Sequence, residues 1–218
     1  MIAFFVPTLD NARALSRHLT TMTNEVDGPY RVFRGRWRGT IVSVYTVTGA
    51  ADSAYVAGRL AARRGARVLV PVVAAAIEGN PDTESPGEAL PVGPCWDLAA
   101  FTPLLRLLPD GARHLPLDPA TLMPAAPRHA GTAEAPGIAT LPFPPTNAAL
   151  LRWLRRHHGV GLADTQMSGY ADAATDDSIA LRGFAIVDRV VADDGVLPLP
   201  PIALDARFES LLADIMAT

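Results

Sequence analysis

The stretch 40–77, TIVSVYTVTGAADSAYVAGRLAARRGARVLVPVVAAAI, limits the fold more than any other part of the chain. Residues 41–47 are β-branched and aromatic enough to favour a pleated strand, and Thr48-Gly49 breaks the strand where glycine supplies a backbone angle that other residues avoid. An alanine-rich helix follows and stops at Gly65. Residues 67–73 are then apolar on both faces, the pattern of a strand buried in a parallel sheet. Strand, turn, helix and strand make a βαβ unit. The two strand ends, at Thr48 and Val73, are expected to open on one edge of the sheet, where open α/β folds bind ligands.

Composition narrows the chemistry. The 218 residues are 49% hydrophobic, enough for one substantial core, and no compositional break forces a second domain. A net charge of −3 and a pI near 5.9 give no field for nucleic acid or an anionic membrane. All 19 basic residues are arginine, so Schiff-base, P-loop and general-base lysines are excluded. The single cysteine, Cys95, has no internal disulfide partner and reads as a buried thiol. Residues 2–6 are too short for a signal h-region or a membrane span, so a soluble, cytoplasmic protein is expected.

Along the chain, residues 2–6 read as a buried strand. Asp10 or Asn11 then caps a helix with Leu15, Leu19 and Met22 at helical spacing. Residues 30–37 and 40–47 read as strands joined by a hairpin turn at Arg38-Gly39. Residues 78–93 are loop-like, with a strand starting at Ala89, and the proline-rich segment 102–137 reads as a lid, an interface arm or disorder. Residues 138–143 form a short strand, and Thr146 or Asn147 caps a helix over 148–158 that stops at Gly159. Arg155, Arg156, His157 and His158 in its last turn suit the helix dipole better than a metal, since no HExxH or Cys/His cluster accompanies them. A helix over 167–181 interrupted at Asp176-Asp177, a strand over 184–191 and a closing helix bearing Leu204, Phe208, Leu211, Leu212 and Ile215 complete the reading.

In this order the chain resembles the purine nucleoside phosphorylase and nucleosidase superfamily, which includes the methylthioadenosine/adenosylhomocysteine nucleosidases. Residues 2–11 resemble the opening strand and acidic loop. Val47-Thr48-Gly49-Ala50-Ala51-Asp52 stands at the serine/threonine-glycine turn. Val73-Ala74-Ala75-Ala76-Ile77, with Pro86-Gly87-Glu88 after it, stands at the glycine-rich strand end and the later Gly-Asp pair. Gln166-Met167-Ser168-Gly169 and Arg189-Val190-Val191-Ala192-Asp193 occupy the places of Glu-Met-Glu and Arg-x-x-Ser-Asp. The resemblance implies a single α/β domain: a three-layer α/β/α, nucleoside phosphorylase-like fold with a central mixed twisted sheet. It also implies a homo-oligomer, no metal or organic cofactor, and phosphate as a co-substrate if the reaction is phosphorolysis.

Breaking an N-ribosidic bond builds positive charge on the sugar and negative charge on the departing base. By the resemblance, Asp193 assists the base, Phe143 stacks on it, and Thr48, Gly49, Val73, Ala74, Gln166, Met167 and Ser168 line the substrate site. Asp193 also fits an ordinary polar turn, Phe143 a core ring. The water-activating acid falls at Asn11 by strict counting, or at Asp10 with a one-residue shift, and Asp10 also suits a helix cap. Asparagine takes no proton from water, so hydrolysis rests on Asp10. Phosphorolysis needs an anion pocket, with Arg34 or Arg36 beside Thr48 and Gly49 as candidates. Ser168 replaces a carboxylate that grips the ribose and makes a weaker, neutral contact. The expectation is N-glycosidic bond cleavage in a nucleoside or nucleoside-like metabolite. The alternative is a relative that kept the fold and lost catalysis, serving as a nucleoside-binding or structural protein.

Overall fold

A computed structural model of the chain describes residues 1–79, 89–98, 127–131, 134–199 and 211. The first two strands in space come from β1 (Ile2–Val6) and β4 (Thr40–Thr46), which run parallel, with Val6 beside Thr46. On the other side of β1 lies β5 (Val68–Glu78), also parallel, with Phe5 beside Pro71. The helix α2 (Ala51–Arg63) joins β4 to β5, so the βαβ unit expected from the sequence is the one found. Gly65, at φ 89°, ends that connection.

β1 alternates its side chains between two helical layers, as its pleat dictates. Ala3 and Phe5 pack with Ala54, Ala57 and Ala61 of α2 on one face. Ile2, Phe4 and Val6 meet Ala12 and Leu15 of α1 (Leu9–Ser16) on the other. The second face also receives the buried Leu211. Outward from β4 the sheet continues through β3 (Tyr30–Trp37) to the edge strand β2 (Thr20–Asp27), both antiparallel. Arg38 and Gly39, at φ 47° and 85°, make the expected hairpin turn, because two positive φ angles match the twist of the paired strands.

β5 changes partners along its length. Its first half pairs with β1 and with β11 (Ala180–Leu181). Its second half pairs in parallel with β12 (Phe184–Ala192) and antiparallel with β10 (Val160–Asp164) through Ala163 and Ala76. Beyond β10 lie β9 (Gly137–Thr140), β7 (Pro94–Asp97) and β8 (Arg128–His129), while β6 (Ala89–Pro91) and β13 (Gly195–Pro198) pair with β12. The sheet is mixed, and helices α3 (Ala148–His158) and α4 (Met167–Asp176) complete the flanking layers. α3 ends as expected, with Asn147 as its N-cap and Gly159 left-handed at φ 66°.

α4 lies almost backbone to backbone against α2. A Cβ on Gly169 would stand 2.0 Å from the Ala51 carbonyl oxygen, and one on Gly58 would stand 2.6 Å from the Cβ of Ala173. Glycine at both positions is what lets the helices approach.

Several expectations are corrected. Thr8, not Asp10 or Asn11, caps α1: its Oγ1 accepts from the Asn11 N–H at 3.1 Å. α1 stops at Ser16, and Met22 belongs to β2, where it is exposed, because the threonine-rich run pairs with β3 instead of prolonging the helix. β5 runs on to Glu78, since its alanines pack on both faces. The helix expected over 167–181 ends for good at Asp176, at the Asp176-Asp177 interruption, and Ala180–Leu181 pairs with β5 instead of resuming it. The strand expected over 138–143 is Gly137–Thr140. Most of segment 102–137, the loop 80–88 and the closing helix, apart from Leu211, lie outside the described residues.

Candidate functional site

Two turns meet where β1 and β4 end. Val47 continues β4 by donating its N–H to the Val6 carbonyl at 3.0 Å. Thr48 and Gly49 follow, both exposed, with Gly49 at φ 105°, a conformation side chains rarely adopt. Ala50 then stands at the N-terminus of α2 and offers it no side-chain cap. From the opposite direction β10 delivers Asp164, and the chain turns through Thr165 and Gln166 into α4. The Gln166 amide nitrogen donates to the carbonyls of Val47, at 3.3 Å, and Gly49, at 3.0 Å. One side chain therefore ties the two turns together.

Asp164 organises the second turn from below. It is 1% exposed. Its Oδ2 accepts from the backbone N–H groups of Gln166 (2.8 Å) and Met167 (2.6 Å), and its Oδ1 accepts from the Thr140 hydroxyl at 2.8 Å. Thr140 in turn accepts from the Ser168 N–H at 2.9 Å. Burial pushes the Asp164 carboxyl up to about 6, against the opposing pull of those three donors. Cys95 lies 3.7 Å from Thr140, and burial raises its thiol as well. With every α4 lead-in donor so engaged, Asp164 acts as a strut. The sequence signal for it was an acid closing a strand just before a helix start.

Of the expected substrate residues, Thr48, Gly49, Gln166, Met167 and Ser168 are brought together here. Met167 is buried, and the Ser168 hydroxyl is buried with no hydrogen-bond partner among the described residues. Val73 and Ala74 follow on β5 just beyond Pro71, which pairs with Phe5; Val73 is buried and Ala74 half-buried. Phe143 packs on a separate apolar cluster that contains Ala76, Ala163, Trp153 and Val191.

Asp193 and Asp10 are placed elsewhere. Asp193 and Asp194 form the turn between β12 and β13, where Ala192 pairs with Gly195. The Asp193 Oδ1 accepts from Arg152 Nη2 at 2.8 Å, and Arg152 Nε donates to Glu78 at 3.2 Å. A groove of about 500 Å³ runs beside this hairpin, lined by Gly79, Val190, Ala192, Asp194, Val196 and Leu197 among others. Asp10, 92% exposed, faces solvent on α1 and pairs with Arg13 at 3.4 Å. Arg34 is held by Ser43 and Glu25, and Arg36 by the Gly39 carbonyl, all away from Thr48 along β3 and β4. His157 and His158 pack on Trp153, with ring centroids 5.3 and 5.1 Å apart. Among the described residues no group of three or more His, Cys, Asp or Glu is arranged to hold a metal, and no helix is long and apolar enough to cross a membrane.

Comparison with protein-family models gives no match, and comparison with curated proteins gives none. Solved structures do match. The 5′-methylthioadenosine/S-adenosylhomocysteine nucleosidase of Campylobacter jejuni superposes with a TM-score of 0.73 at 11% identity, over 100% of this chain and 99% of that one. The nucleosidase of Colwellia psychrerythraea 34H in complex with adenine gives 0.66 at 12% identity, over 96% and 86% of the two chains. A futalosine hydrolase mutant of Helicobacter pylori strain 26695 gives 0.67 at 9% identity, over 96% and 92%. The chain has the expected α/β fold, matching over its whole length that of the Campylobacter jejuni methylthioadenosine/adenosylhomocysteine nucleosidase.

Proposed function

We propose that the chain binds a nucleoside or nucleoside-like metabolite where the β4–α2 and β10–α4 turns meet, and cleaves its N-glycosidic bond. The observation that carries this reading is the junction itself: Gln166 fastens Val47 and Gly49 to the head of α4, so that the exposed Thr48-Gly49 turn is held where β1 and β4 end. The fold neighbours add the ligand class, since the nucleosidase of Colwellia psychrerythraea 34H holds adenine and that of Neisseria meningitidis holds methylthio-immucillin-A.

Cleavage requires a proton or a donated hydrogen bond for the departing base, and the candidate is the Asp193 carboxyl as general acid, which stands at the β12–β13 hairpin apart from the two turns and must leave Arg152 to act. Its neighbours Ala192 and Asp194 line a groove of a size that suits a small metabolite. The ribose receives one neutral hydroxyl, Ser168, in place of a carboxylate. Asp10 faces solvent, so the attacking group comes without help from it, which directs attention to phosphate supplied at Thr48, Gly49 and the uncapped start of α2. Homo-oligomeric assembly belongs to the same reading and is checked by light scattering.

A second reading keeps the ligand and drops the reaction. The engagement of Asp193 by Arg152 and the serine at 168 favour it. Incubation with a panel of purine nucleosides, with and without phosphate, separates the two by release of free base. Release that depends on phosphate supports phosphorolysis. Silence across the panel, together with thermal stabilisation by adenine, supports the binding protein, and silence with no stabilisation removes both readings.

A further inference from the structure

We infer that Gln166 is a positioning residue, a clamp that sets the shape of the ligand cleft by holding the β4–α2 turn against the head of α4. The inference rests on the site placed under Proposed function, but the clamp is a property of the protein alone and can be read without any ligand.

Gln166 is the sole glutamine in 218 residues. It is 8% exposed, so its amide is spent inside the protein and not on solvent. Both acceptors that its nitrogen meets, the carbonyls of Val47 and Gly49, can only accept. That chemistry fixes which end of the amide faces them: the nitrogen must, with one hydrogen for each carbonyl, and the oxygen is left as an acceptor for a donor on the other side. The backbone of the same residue is fixed too, because its N–H is held by Asp164 Oδ2 at 2.8 Å. A continuous path of hydrogen bonds therefore runs from Thr140 through Asp164 and both ends of Gln166 to the Thr48-Gly49 turn. Gly49, held at φ 105°, and the uncapped N-terminus of α2 give that turn little restraint of its own. Removing the clamp frees the turn and leaves the strands intact.

Because there is only one glutamine, selective ¹⁵N labelling of the glutamine side chain gives one pair of amide signals. In the wild-type protein without ligand, these hydrogens are expected to exchange with solvent at least tenfold more slowly than in a free glutamine, and to show cross-relaxation to Gly49. Exchange at the free rate, without such contacts, overturns the clamp. Gln166→Met and Gln166→Glu both keep the side-chain size and lose both donors. In each, hydrogen exchange over residues 47–51 is expected to rise about tenfold while β1 stays protected, and adenine affinity is expected to fall about tenfold with it. Exchange over 47–51 that matches wild type in both variants overturns the proposal. If wild-type protein binds no adenine and releases no base, the ligand reading falls, and the labelled amide still decides the clamp.

Discussion

Arg152 and Asp193, 41 residues apart in sequence, meet at 2.8 Å and join the middle of α3 to the tip of the β12–β13 hairpin. Arg152 holds Glu78, the last residue of β5, with the same guanidinium. Asp193 is half-exposed, so the pair alone adds little to stability, and its consequence lies in where the carboxylate points. Asp193→Asn keeps the shape and removes the charge. If Asp193 gives the departing base its proton, turnover falls by about 10²-fold or more while KM moves by only a few-fold, because the contact matters chiefly in the transition state. Base release under saturating nucleoside checks this, and unchanged turnover takes Asp193 out of the mechanism.

Gly169→Ala would place a methyl group 2.0 Å from the Ala51 carbonyl oxygen, on backbone that cannot rotate away. The α2–α4 contact must open, at about 1–3 kcal/mol, which lowers Tm by roughly 2–12 °C for a chain of this size. Gly161→Ala in β10 is the control. A Cβ there meets Pro136 at an ordinary 3.4 Å, so calorimetry should find that variant close to wild type.

Local chemistry made much of this fold legible. Arg38-Gly39 marked a hairpin because it needs two positive φ angles, and Thr146 or Asn147 with Gly159 bracketed α3, whose cap is Asn147. Thr48-Gly49 marked the end of β4, which stops at Thr46 with Gly49 at φ 105°. What failed depended on partners far away in sequence. Met22 fitted a helix by spacing, yet Thr20–Asp27 is drawn into pairing with β3. Neither Asp164 nor the strand it ends was read from the sequence, because its role depends on Thr140, 24 residues earlier, and on the head of α4 closing around it. The Gln166 bond to Val47 spans 119 residues, beyond the reach of any local pattern. The two catalytic candidates were chosen by resemblance, and side-chain direction, which no pattern encodes, sends Asp10 outward and Asp193 to Arg152.

Cys95 is the only thiol, and it is fully buried with its pKa raised by burial. The thiolate is the reactive species, so the native protein is expected to give no colour with a disulfide reagent at pH 8 over an hour. After denaturation in guanidinium it should release one equivalent. Rapid reaction of the native protein would mean that the floor beneath Thr140 opens readily.

Asp164 gives a pH signature with a definite sign. Its carboxyl titrates at about 6 in the folded protein, against an ordinary value of 3.8, because burial penalises the charged form. Between those two values the native state holds a proton that the unfolded chain has already lost. This residue's contribution is therefore fully present below pH 3.8 and is lost as pH rises through about 6. Asp164→Asn removes that titration. Its amide oxygen can still accept from the N–H groups of Gln166 and Met167, while its NH2 meets the Thr140 hydroxyl, which must then accept where it donated and turn its own hydrogen toward Cys95. Urea unfolding of both proteins at pH 4.5, 5.5 and 6.5 should show wild type losing its advantage over the variant as pH rises. A gap that widens with pH would mean that the Asp164 carboxylate is better held in the folded protein than its burial implies.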